Sequence, residues 1–219
     1  MNYLSSEEDL NVLQIDKTLK QTEFLIEEYI EGREISVETL SYEGKHYVIQ
    51  ITDKVSTGAP HFVEIGHNQP ADLPNNTAED IRKIVPQILN IVDFTNGASH
   101  IELKISPKGE INLIEINPRG GGDYISNRLV ELSTSCDYIK ELIHISLGTF
   151  SYKPFKNTAF CSIRFLCKQT KNLLHYVKNA KDYPEIIEYK YDGNPLIEQH
   201  TNYERNGYIL FLNKNLKTK

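Results

Sequence analysis

The residues in this chain that could do chemistry gather in "HIELKISPKGEINLIEINPRGGGD", His100 to Asp123. Glu102 and Glu115 stand among isoleucines and leucines, and Asn117, Arg119, Gly120, Gly121 and Gly122 follow. Ile101, Leu103 and Ile105 alternate with His100, Glu102 and Lys104, and Ile114 and Ile116 alternate with Leu113, Glu115 and Asn117. That period of two marks half-buried strands. Ser106-Pro107-Lys108-Gly109 is turn chemistry, with proline pre-setting φ and glycine tolerating a positive one. If the isoleucines share one face and the loop is Pro107 to Glu110, residue 102 lies opposite 115 and His100 opposite Asn117. Opposed residues have Cβ atoms about 4.5–5.5 Å apart, and like charges there repel. A hard divalent cation would offset that repulsion, and Mg²⁺ commonly takes one or two carboxylates plus substrate phosphates. The plainer alternative is a solvated strand face with two unremarkable acids. The amide, guanidinium and glycine N–H groups that follow favour a place that holds polyphosphate.

Several elements must position this hairpin. Ser5 or Ser6 ahead of Glu7, Glu8 and Asp9 starts a helix expected to run to about Lys20, and Phe24-Leu25-Ile26 reads as a short buried strand. Ile35, Val37 and Thr39, a turn at Tyr42 to Lys45, then Tyr47, Ile49 and Ile51 make a second hairpin. A long polar loop, Ser56 to Asn76, follows, a length often functional in a compact domain. Thr77 with Asp80 offers a capping box to a helix whose apolar stripe is Ile81, Ile84, Val85, Ile88, Leu89 and Val92. Pro86 should kink that helix and Asn96-Gly97 should close it. Two more helices are expected over Tyr124 to Ser133 and Tyr138 to Leu147, the second capped by Asp137 and stopped at Gly148. Beyond Ser151, strands at Thr158 to Leu166 and Tyr208 to Leu212 and a helical stretch near Lys171 to Lys178 read as a smaller α/β lobe.

With 219 residues the chain can bury a real core. A net charge of -6 without a long basic run argues against nucleic acid as a partner. No apolar stretch approaches a membrane span. Cys136, Cys161 and Cys167 form no CxxC pair, which points to buried thiols and a reducing, cytoplasmic setting rather than zinc or disulfides.

Taken in order, "FLIEEYIEGREISVE", a hairpin, a polar loop, a helix and the Glu102…"IEINPR" hairpin resemble the ATP-grasp superfamily of ATP-dependent carboxylate–amine ligases up to about residue 150. The resemblance implies an α+β fold: an ATP-grasp core of antiparallel sheet with flanking helices, plus the small C-terminal lobe. Residues 1–28 would be a remnant of the lid subdomain and hinge, 29–150 the core, and 151–219 the lobe. The implied cofactors are ATP and Mg²⁺, with Mn²⁺ a possible substitute. The metal ligands would be Glu102, Glu115 and Asn117, with Arg119 the cation that steadies the transferring phosphoryl group or the substrate carboxylate. Glu27, Glu28 and Ile30 match the adenine-reading hinge and Glu34 the ribose-holding acid. Lys54 reads as a surface lysine that could reach a phosphate.

Biotin carboxylases of the superfamily place a glutamine, a glutamate and a histidine soon after the arginine, whereas here three glycines and Asp123 follow. That is closer to the L-amino acid ligase branch. Gly121 and Gly122 would then receive a substrate carboxylate, and Glu64 and His67 in "HFVEIGHNQPA" would face the amino acid and its acyl phosphate. The family's N-terminal domain and most of its lid have no counterpart here, so the expectation is a C-terminal portion of a longer ligase, inactive alone, with a homodimer left open. The alternatives are a non-catalytic ATP-grasp-like assembly module, a bicarbonate-using carboxylase or carbamoyl-phosphate-synthetase-like relative, and a plain α+β domain with an acidic hairpin.

Overall fold

The computed structural model describes residues 4, 6–9, 25–59 and 61–214. Its frame is one eight-stranded antiparallel sheet in the order β5-β4-β1-β2-β3-β6-β8-β7. The strands are β1 (Arg33–Tyr42), β2 (Lys45–Ser56), β3 (Glu64–Gln69), β4 (Gly97–Ile105), β5 (Ile111–Asn117), β6 (Phe160–Leu166), β7 (Ile186–Tyr191) and β8 (Gly207–Asn213). Residues after 150 extend the core's own sheet, because β3 pairs with β6. The helices are α1 (Asn75–Ile91), α2 (Val130–Thr134), which continues a π-helical turn at Ile125–Leu129, α3 (Tyr138–Ser146) and α4 (Leu174–Lys178).

The β1–β2 turn places both Glu43 (φ 50) and Gly44 (φ 72) in the left-handed region, the conformation that matches the twist of flanking strands. Ile35 and Val37 point to one face, where Ile51, Ile101 and Leu103 meet Ile81, Val85 and Leu89 of α1. On the opposite face Leu40, Ile49 and Ala98 pack with Val130, Tyr138 and Ile145. A third core joins Ile125 and Leu129 to Cys161, Ile163, Phe165 and Leu210. All three cysteines are free and buried, and burial pushes the thiols of Cys136 and Cys161 up to about 12.

The acidic hairpin has the expected pairing, Glu102 with Glu115 and His100 with Asn117. It is reached through a bulge: Leu103 pairs with Leu113, so Ile114 is the extra residue and is 38% exposed rather than inward. Other expectations need correcting. α1 begins two residues before Thr77, with Pro74 ahead of it and no side-chain cap. It ends at Ile91, leaving Val92 exposed, and Asp93 (φ 51) makes the left-handed turn. Phe94 N–H bonds to Leu89 O and Asp93 N–H to Asn90 O, the paired bonds of a Schellman end. The segment read as a long loop contains β3, which sequence pattern missed because its buried positions are Gly66, His67 and Gln69. Near the start, Ser6 and Asp9 exchange backbone-to-side-chain bonds of 3.1 and 3.3 Å as a capping pair, and the rest of that expected helix lies outside the described residues. Leu25 and Ile26 are 86% and 65% exposed and form no strand, so the buried-strand reading fails there; Phe24 is outside the described residues.

Candidate active site

Period-two alternation in β1 sends Ile35 and Val37 to the α1 core and Glu34, Ser36 and Glu38 to the other side of the sheet. Across the ladder these face Lys104, Glu102 and His100 of β4, and beyond them lie Glu115 and Asn117 of β5. Lys54 of β2 pairs with His67 of β3 on the other flank. The regular pleat therefore concentrates acids and cations on one patch of one sheet face.

Lys54 is the hub. Its Nζ lies 2.8 Å from Glu34 Oε1, 2.7 Å from Glu64 Oε1 and 2.9 Å from Glu102 Oε1, and its side chain is only 4% exposed. The surface reading of this lysine is thus overturned. Burial works against its charge, but the three carboxylates outweigh burial and hold it well above the usual lysine range. His100 links the next two acids: its Nδ1 bonds to Glu38 Oε1 and its Nε2 lies 3.2 Å from Glu102 Oε1. Burial again opposes its charge, yet the bonds to Glu102 and Glu38 lift it to about 9. Glu102 is the mirror case: burial would raise its pKa, and the His100 bond and Lys54 bring it down to about 2.

The glycine run is threaded onto the same network. Gly121 N–H donates to Glu38 Oε2 at 2.9 Å, and Ser126 Oγ donates to Gly121 O at 2.6 Å. A Cβ on Gly121 would stand 2.7 Å from both Glu38 Oε1 and His100 Nδ1, so the buried charges leave room only for glycine. Gly122 has open space around it and is exposed. Glu115 and Arg119 are exposed, and the guanidinium bonds within its own turn, to Gly120 O at 3.0 Å. Asn117 Nδ2 is buried without a partner.

A second cluster adjoins the first. His67 is fully buried, with its Nε2 3.7 Å from Glu64 Oε2 and 3.8 Å from Asp123 Oδ2, beyond hydrogen-bond range. Arg205 grips Asp123 with bonds of 2.7 and 2.8 Å and lies 3.5 Å over the Phe165 ring. Burial pushes the Asp123 carboxyl up, but His67 and Arg205 hold it below the usual carboxylate range.

The structure thus brings Glu34, Lys54, Glu64, Glu102, His67 and Gly121 into one connected patch, with Glu115 and Asn117 at its β5 side. Glu27 and Glu28 are exposed and Ile30 half-buried in a stretch without regular structure. Tyr29 from that stretch packs against Phe62 (5.5 Å between ring centroids), with Lys104 Nζ 4.5 Å above the Tyr29 ring. Sequence reasoning did not single out Glu38, His100, Asp123 or Arg205. Glu38 shares the alternation of Glu34 and was findable; Arg205, in an irregular polar segment, carries no pattern.

An antiparallel sheet that presents an opposed acid pair beside a glycine-rich turn is the architecture expected from the motif order, and the chain belongs to the ATP-grasp domain family, whose model matches residues 4–128. It is 32% identical over 101 residues to carnosine synthase 1 of Gallus gallus, covering 46% of this chain and 11% of that protein. It is also 32% identical over 114 residues to a D-alanine--D-alanine ligase of Phocaeicola vulgatus, covering 49% and 35%. The fold is similar to the L-amino acid ligase of Bacillus licheniformis (TM-score 0.71, 20% identity, 86% of this chain and 50% of that one). It is similar as well to phosphoribosylglycinamide synthetase of Anaerococcus prevotii (TM-score 0.69, 18% identity, 97% and 56%). The chain spans about a third or less of these two curated relatives and about half of these two structures. Among the described residues no helix is long and apolar enough to cross a membrane.

Proposed function

We propose that this chain carries the ATP- and Mg²⁺-binding centre of a carboxylate–amine ligase that activates an amino acid as its acyl phosphate. The observation that carries this reading is the register: Glu102 opposite Glu115 and His100 opposite Asn117, at the edge of a network that keeps Glu102 ionised. The donor set fits a hard cation. The contacts of Glu102 with Lys54 and His100 both fall on Oε1, so Oε2 is the lobe for a metal. The Asn117 amide has a buried, unpartnered end, and the two ends of an amide exchange by a flip that presents oxygen there. Bound Mg²⁺ would neutralise phosphate charge as it develops.

The remaining work falls to side chains. Lys54 fixes Glu34, Glu64 and Glu102 at one spacing. Arg119, exposed beside the glycine turn, steadies the phosphoryl group or the carboxylate it is leaving for. Gly122, exposed at the turn, lets the backbone approach the substrate carboxylate, while the Gly121 N–H is committed to Glu38 and holds that turn in place; Glu64 and His67 face the substrate's amino end. Glu27, Glu28 and Ile30 read the adenine edge beside Tyr29, and Glu34 lies toward the ribose. ATP phosphorylates the carboxylate, and an amine then displaces phosphate to form the amide.

The test is phosphate release by the full-length gene product with single and paired amino acids, with bicarbonate and simple carboxylates as controls. Amino-acid-dependent release, reduced about 100-fold or more by Glu115→Gln, is expected. Release with bicarbonate alone, or near-normal activity in Glu115→Gln, would contradict the reading.

A further inference from the structure

Two exposed histidines, 139 residues apart along the chain, meet at the surface: His61 from the β2–β3 loop and His200 from the segment ahead of β8. His200 Nδ1 lies 3.4 Å from His61 Nε2, the ring centroids are 4.8 Å apart and the ring planes cross at 84°. As a hydrogen bond this contact is poor. A straight bond of about 3.0 Å between ring nitrogens would set the two centroids about 5.3 Å apart. Here the nitrogens are farther apart and the rings closer together, so at least one ring aims its nitrogen past the other. The nitrogen separation instead matches two ligands of a tetrahedral metal: Zn²⁺ with bonds of about 2.0–2.1 Å sets its ligand atoms about 3.4 Å apart.

Both backbones are tied down. His61 sits in a tight turn in which Phe62 N–H donates to Gly58 O at 2.8 Å and Thr57 N–H to Val63 O at 2.9 Å. The Glu204 carboxylate accepts from the N–H groups of His200 and Thr201 at 2.8 and 2.9 Å. The residues on either side of His200 bond to Glu64, three positions after His61: Asn202 Oδ1 accepts from Glu64 N–H at 3.1 Å, and Gln199 Nε2 donates to Glu64 O at 3.4 Å. The two imidazoles are therefore brought together by their own backbones, and bringing ligands together is much of what a metal site must do.

We propose that His61 and His200 form a surface site for a borderline transition metal, Zn²⁺ in the first place, with water in the remaining positions. Imidazole suits Zn²⁺, whereas Mg²⁺ takes oxygen ligands, so this site is separate in place and in chemistry from the acid pair of β4 and β5. A metal held by both rings clasps the β2–β3 loop to the segment ahead of β8. Two protein ligands bind more weakly than the four of a structural zinc site, so the clasp is reversible. The proposal stands apart from the ligase reading.

The experiment is a Zn²⁺ titration of the chelator-treated protein, followed by histidine ring NMR, with Mg²⁺ as the control. Micromolar Zn²⁺ is expected to shift the His61 and His200 rings together, saturating at one equivalent, and Mg²⁺ to leave them unmoved. His61→Gln and His200→Gln should each lower Zn²⁺ affinity about tenfold or more, since even an outer-sphere partner of a metal is worth that much. The double variant should lose little beyond either single one, because the two ligands act as a unit. Both side chains are exposed, so the variants should fold as the parent does, and Zn²⁺ should raise the thermal midpoint of the parent alone. Rings unmoved by Zn²⁺, separate midpoints for the two rings, or full affinity in either single variant would overturn the proposal. Zn²⁺ binding kept in His61→Gln but lost in His67→Gln would assign the metal to the Glu64, His67 and Asp123 cluster and overturn it equally.

Discussion

Single side chains in this site act by fixing one another's charge. His100, lifted to about 9 from an ordinary 6.5, is a cation at neutral pH, and a ring-carbon NMR titration should place its midpoint there. Its stabilising contribution is complete below pH 6.5 and fades as pH rises through about 9, because the unfolded histidine no longer binds the proton that the folded one keeps. Glu102, lowered to about 2 from 4.5, contributes in the opposite sense: fully above pH 4.5, and less as pH falls through about 2. Urea unfolding across pH should therefore show the combined contribution of these two groups at its maximum between pH 4.5 and 6.5, with a decline by pH 9.5 that Glu38→Gln reduces. Glu38→Gln leaves His100 buried with one acid fewer and should cost about 3 kcal/mol at pH 7. Gly121→Ala should pull the His100 midpoint down, since its methyl must displace the Glu38–His100 contact. A normal midpoint in folded Gly121→Ala would show that the turn has room after all.

The elements of the fold differ in how openly the sequence declares them. The acidic hairpin was legible to the residue at Glu102–Glu115, because alternating isoleucines and a proline–glycine turn allow one register. The bulge was not, because Ile114 is as apolar as an inward residue and only the ladder shows it pushed outward. The β3 strand was hidden for the opposite reason: its buried positions are filled by a glycine, a histidine and a glutamine that serve the site rather than the core. The end of α1 was misplaced because Asp93, not a glycine, takes the left-handed turn. Leu89, fully buried in the core under α1, should cost about 3 kcal/mol when changed to alanine. Val92, exposed at the helix end, should tolerate the same change within about 0.5 kcal/mol in chemical unfolding. Equal losses at the two positions would contradict the way this helix is seated.

Across the whole molecule, the continuous sheet joins the acid pair of β4 and β5 to the C-terminal strands that anchor Arg205. Residues 100 to 123 suggest the chemistry, but the second cluster emerges only when β3, the glycine turn and the segment before β8 meet in space. That convergence of residues 64, 67, 123 and 205 has no period and no motif, which is why the sequence showed half of it. In the site proposed here, Glu102 and Glu115 share a metal that nucleotide brings to the β4–β5 hairpin. The most direct measurement is a Mn²⁺ titration, followed by electron paramagnetic resonance, of the protein and its Glu115→Gln variant with and without ADP. Weak Mn²⁺ binding strengthened by ADP is expected, with loss of that strengthening in Glu115→Gln while the fold persists. Mn²⁺·ADP binding that is undiminished in the variant would place the metal elsewhere and rule out a site shared by Glu102 and Glu115.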